Sequence, residues 1–80
     1  MNKTLYTAIF YSTTDNGISV SIHSTYDKAV DHILNVYREL GYSVSVIEDC
    51  EKCLRKERYP WFNTEAEEIA FVEPAEMKED

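Results

Sequence analysis

The sequence predicts a small α+β domain, an antiparallel sheet with one amphipathic helix packed on one face. Three observations carry this. An Asn-Gly turn separates two β-rich runs, a long apolar stripe at helical spacing follows, and further short apolar runs come after it. The predicted order is β-β-α-β-(α)-β, and one helix over one sheet face is the economical way to bury these surfaces.

Leu5 to Ser12 (LYTAIFYS) is rich in β-branched and aromatic residues and reads as a strand. Tyr6 and Phe10 fall on one face and Tyr11 on the other, so one aromatic set must point away from the helix. Thr13-Thr14-Asp15-Asn16-Gly17 reads as the turn, because Asn and Gly both tolerate positive φ. Ile18 to His23 then alternates. The expectation is that Ile18, Val20 and Ile22 are buried and that Ser19, Ser21 and His23 face water.

Ser24 as N-cap with Asp27 three residues on suggests a capping box. Tyr26, Ala29, Val30, Ile33, Leu34, Tyr37 and Leu40 make the apolar stripe of a helix that Gly41 ends, with Val36 off the stripe. Tyr42, Val44 and Val46 alternate with serines and predict a third strand over 42–47. Residues 49–58 fit either a short helix, with Cys50, Cys53 and Leu54 on one face, or a polar strand and loop. Tyr59-Pro60 interrupts any helix. Thr64-x-x-Glu67 resembles a capping box, but EEIAFVEP reads better as an edge strand stopped by Pro74. Residues 1–75 form a single domain on this reading and 76–80 a polar acidic tail.

Eighty residues support one small core, and the 44% apolar content is that of a globular chain. The N-terminus has no continuous apolar segment or small-residue cleavage site, and no run approaches a membrane span. The expectation is a cytoplasmic protein without a membrane partner. Residues 61–80 carry seven acidic side chains against Lys78 alone, six of the seven net negative charges of the chain. That field opposes direct nucleic-acid binding and favours a basic protein surface.

The stretch EDCEKCLRKERYPWF holds the two cysteines, Cys50 and Cys53, in C-x-x-C spacing. Glu48, Asp49 and Glu51 surround them, and neighbouring carboxylates raise a thiol pKa rather than lower it. Zinc needs four ligands, and His23 and His32 match no recurrent spacing with the cysteines. Cys50 and Cys53 are therefore weak metal or thiol candidates, and two small half-buried side chains on one face is the simpler reading. No glycine-rich phosphate loop or nucleophile elbow occurs, so neither catalysis nor a cofactor is expected. Arg55, Arg58, Tyr59 and Trp61 form a basic-aromatic corner of residue types enriched at binding hot spots.

With MNKTLYTAIFYSTTDNGISVSIHS as a hairpin, STYDKAVDHILNVYRELGY as a helix and an acidic EAEEIAFVEPAEMKED end, the chain resembles small phage and mobile-element accessory proteins of the anti-CRISPR type. The resemblance is one of architecture and charge. It implies a non-enzymatic inhibitor or modulator acting by stoichiometric binding. Its partner would be a basic nucleic-acid-handling effector such as a Cas protein, met by Glu65, Glu67, Glu68 and Glu73. A thiol- or metal-dependent module using Cys50 and Cys53, and a homodimer formed through an edge strand, are the alternatives.

Overall fold

The structure, a computed structural model, describes residues 2–13, 17–64 and 67–78. Four antiparallel strands, β1 (Asn2–Ser12), β2 (Ile18–His23), β3 (Trp61–Asn63) and β4 (Glu68–Lys78), form one sheet in the order β2-β1-β4-β3. Two helices, α1 (Tyr26–Glu39) and α2 (Val44–Glu51), cover one face, and α2 runs on into a π-helical turn at Lys52–Glu57. The expected α+β class is thus the observed one.

The hairpin forms where expected. Ser12 N–H donates to Gly17 O at 2.8 Å, and Gly17 takes a φ of 74°, which its missing side chain permits. Asp15 and Asn16 lie outside the described residues. The sidedness of β2 is opposite to the expectation. Ile18, Val20 and Ile22 face outward, while Ser19, Ser21 and His23 turn toward α1. Register explains this. Phe10 pairs with Ser19, Ala8 with Ser21 and Tyr6 with His23, and directly paired residues share a face. Once Ala8 and Phe10 take the core side of β1, the serines must follow.

Helix α1 is capped by Thr25 rather than Ser24, whose Oγ instead receives a contact from Lys28 Nζ. The Thr25 hydroxyl accepts from Lys28 N–H at 3.1 Å. Ala29, Val30, Ile33, Leu34 and Tyr37 are buried along the predicted stripe, and each fully buried Val, Ile or Leu contributes roughly 1.5–3 kcal/mol. Leu40 is exposed at the C-cap, whereas Val36 packs against the core from beside the stripe. The helix ends in a Schellman motif: Gly41 N–H donates to Arg38 O and Tyr42 N–H to Tyr37 O, with Gly41 at φ 85°.

The expected third strand over 42–47 is instead the start of α2. Ser43 Oγ accepts from Val46 N–H at 3.4 Å and sets the helix N-terminus directly after the Schellman turn. Ile47, Cys50 and Leu54 then fall at helical spacing and pack on the core, and this longer pattern overrides the three-residue alternation. The helical alternative for 49–58 is the one observed. The π turn ends at Arg58, which adopts the left-handed region at φ 56°, and Tyr59 N–H closes it onto Cys53 O.

The strand alternative for 64–72 also holds, but β4 is an interior strand rather than an edge. It pairs with β1 throughout and with β3 at 68–70, and it runs through Pro74 to Lys78. Residues 76–78 pair with 2–4, so they belong to the sheet rather than to a tail. Proline is tolerated because β4 is paired on one side only beyond β3, where no N–H is needed on the open side. The core between sheet and helices comprises Ala8, Phe10 and Ala70 from the strands, the α1 stripe, Cys50 and Leu54.

Candidate interaction surface

The basic-aromatic corner is largely occupied in holding the fold together. Arg55 bonds Asp27 Oδ1 at 3.2 Å, Asp31 Oδ1 at 2.7 Å and Glu51 Oε2, tying the π turn to α1. These carboxylates hold its pKa above the ordinary arginine value. The Arg58 guanidinium stacks 4.0 Å from the centroid of the Tyr26 ring, whose hydroxyl donates to Leu54 O. Trp61 lies inward against the core beside the Tyr37 hydroxyl, although neither group makes a hydrogen bond of ordinary geometry. Tyr59 alone of the four projects freely outward.

The acidic set is likewise divided. Glu68 is only 4% exposed and its Oε1 accepts from Tyr42 O–H at 2.6 Å, so its carboxylate belongs to the interior and cannot meet a partner. Glu67, in the left-handed region at φ 54°, accepts from Thr13 O–H at 2.9 Å and stays exposed. Glu73 is exposed on the sheet. Glu65 lies outside the described residues. Among the described residues of this set, Glu68 is thus withdrawn from the surface on which Glu67 and Glu73 are exposed.

Cys50 is fully buried and Cys53 half-buried, both as free thiols. Burial, then the proximity of Cys53 and Glu51, pushes the Cys50 thiol up to about 12, the opposite of what a reactive thiolate needs. Cys53 Sγ contacts Tyr59 O at 3.5 Å and its pKa is also raised, first by burial and then by Glu57. The fold does bring His23 and His32 together across the β2–α1 seam, with ring centroids 5.3 Å apart. His23 Nε2 lies 2.6 Å from Ser21 Oγ and His32 Nε2 lies 3.3 Å from Ser19 Oγ. Among the described residues no three His, Cys, Asp or Glu side chains converge as metal ligands. No helix among them is long and apolar enough to cross a membrane.

The surface that sequence reasoning missed is the outer face of the sheet. Cross-strand pairing arranges it in rows: Ile18, Tyr11, Ile69 and Phe62; then Val20, Ile9 and Phe71; then Ile22, Thr7 and Glu73. Neither helix covers it. Ile18 is 65% exposed, Val20 59%, Ile22 66%, Phe62 63% and Tyr11 42%. Glu73 is the one charged side chain in these rows. At the first row a hollow of about 350 Å³ opens, its surface mainly apolar from Tyr11, Phe62 and Ile69, with Thr13, Asn63, Thr64, Glu67 and Glu68 completing its lining. Tyr11 on the face opposite Phe10 was the sequence signal. Its companions were hidden because alternation defines two faces of a strand without saying which one is inward.

The chain was compared with protein-family models, with curated proteins and with solved structures. None matches.

Proposed function

We propose that the chain is a non-catalytic protein-binding module whose docking surface is the outer face of its sheet. The single observation that carries this is the extent of that face: rows of apolar side chains over four strands, uncovered by either helix, with one charge among them. Exposed apolar surface of this continuity marks interaction sites on small proteins. Stoichiometric contact suits it, because the hollow on this face is open and mainly apolar, with Glu67 and Glu68 the only carboxylates among the described residues that line it. The narrower reading, an anti-CRISPR-like inhibitor of a basic nucleic-acid-handling effector, is supported by the acidic excess of residues 61–80 and by the exposure of Glu67 and Glu73. The inward course of Glu68 and the internal pairing of Arg55 and Arg58 leave that reading with less surface to work with.

Selection of a random displayed-peptide library on the immobilised chain separates the two surfaces. Docking at the sheet face predicts apolar and aromatic peptides whose binding is lost with Val20→Lys and kept with Glu76→Lys, at an exposed carboxylate outside the lining of the hollow. A selection dominated by basic peptides and indifferent to Val20→Lys would overturn the assignment.

A further inference from the structure

We infer that the occupant of the outer sheet face is a second copy of this chain, packed face to face as a two-sheet sandwich. The inference rests on the docking reading above and names its partner.

Area is the first argument. The five most exposed apolar side chains of the face together present roughly 600 Å² to water, and the half-exposed Leu5, Ile9, Ile69 and Phe71 add to it. A standard stable interface buries about 800 Å² per partner, so this face alone is of the right size. Charge is the second. Two chains of net charge −7 repel, and they meet most readily through a surface on which that charge is sparse. The rows of the outer face carry Glu73 as their one charge, with Glu67 in the lining of the hollow.

Shape then selects one symmetry. Stacked sheets pack about 10 Å apart with their strands nearly aligned. A two-fold axis running along the strands, between β1 and β4, meets that requirement and reverses the strand order. It lays β2 of one copy over β3 of the other, and β1 over β4. Ile18, at the β2 end of the first row, then stands over the hollow between Tyr11, Phe62 and Ile69 of the second copy. Ile9 meets Phe71 in the second row. In the third row Glu73 meets Thr7, a hydroxyl donor, rather than another carboxylate. A two-fold axis across the strands places Glu73 over Ile69 in the first row instead, burying a charge without a partner. The projecting isoleucine and the hollow thus sit at opposite ends of one row, and only a two-fold copy fills each with the other.

Sedimentation equilibrium across micromolar to submillimolar concentrations measures the association, and isotope-filtered NMR on mixed labelled and unlabelled chains reads its geometry. The expected result is a dimer showing a contact between the Ile18 methyls and the Phe62 ring. Within one chain these residues are three strand spacings apart, about 14 Å, so the contact can arise only between copies. Ile18→Lys is expected to weaken the dimer by about 100-fold or more while the circular dichroism stays that of the parent. Val44→Lys, on the 71% exposed first residue of α2, is the matched control and leaves the dimer intact. A chain monomeric at submillimolar concentration overturns the inference, as does a dimer lacking the Ile18–Phe62 contact and indifferent to Ile18→Lys. The docking reading survives either result if the selected peptides still depend on Val20, and falls separately if they do not.

Discussion

Tyr42→Phe is the most exacting test of how the helices are fastened to the sheet. The Tyr42 hydroxyl donates to Glu68 Oε1 at 2.6 Å, joining the link between the helices to the start of β4. Glu68 is 4% exposed, so its carboxylate depends on protein donors rather than on water. A hydrogen bond to a charged group contributes about 1.5–3 kcal/mol, and because Tyr42 is itself only half-buried the lower end applies, about 1.5 kcal/mol. Phenylalanine keeps the edge-to-face contact with Tyr37, whose ring centroid lies 4.9 Å away, so the substitution removes the hydroxyl and little else. For a domain of this size, 1.5 kcal/mol lowers Tm by about 6–12 °C. Thermal and urea unfolding of Tyr42→Phe, Glu68→Gln and the double variant measure both the loss and the coupling between the two groups. A loss below about 0.5 kcal/mol for Tyr42→Phe, or additive single losses, would refute the claim that this bond fastens the two layers.

The two cysteines are expected to differ. Cys50→Ser sets a hydroxyl without a partner in the core and costs about 1–3 kcal/mol. Cys53→Ser, half-buried beside Tyr59 O, stays within about 0.5 kcal/mol in urea unfolding. Equal losses would show that the pair acts as a unit. Stability is also expected to fall on both sides of a neutral plateau. Tyr42 is pushed up to about 12, by burial first and then by its bond to Glu68, and Cys50 up to about 12 by burial. Their folded values lie above unfolded values of about 10 and 8.5, so their contribution is complete below about pH 8.5 and is lost as pH rises toward 12. His23 is depressed below 6.5 by burial, then by His32 and Lys28, so its contribution is present above that value and lost as pH falls below it. Urea midpoints from pH 4 to 11 read both limbs. A midpoint unchanged from pH 8 to pH 11 contradicts the alkaline one.

The sequence carried the hairpin and α1 because each rests on a local device. Gly17 allows the turn, and the stripe from Ala29 to Tyr37 needs no knowledge of what it packs against. What it could not carry depends on contacts distant in the chain. Tyr42, Val44 and Val46 satisfy strand alternation as written, and only the Ser43 cap and the fit of Ile47, Cys50 and Leu54 against α1 and the sheet make them helical. The inward side of β2 depended on its register with Phe10 and Ala8. The candidate site suffered most. Arg55, Arg58, Trp61 and Glu68 have the composition of a docking surface, and each is spent on an internal partner that lies far away in sequence or was not apparent from it. Ile18, Val20 and Ile22 were assigned to the core for the same property that makes them notable outside it.

The position of Pro74 bears on how such a sheet avoids unregulated growth. Beyond residue 70 the side of β4 facing away from β1 has no neighbouring strand among the described residues, a length of backbone onto which another chain could add itself and start a fibril. A proline midway along that length interrupts the run of donors an incoming strand would need, and the exposed Glu73 and Glu76 on either side place negative charge at the approach. Strand addition is thereby obstructed along that rim, which leaves association to the broad face rather than to the edge.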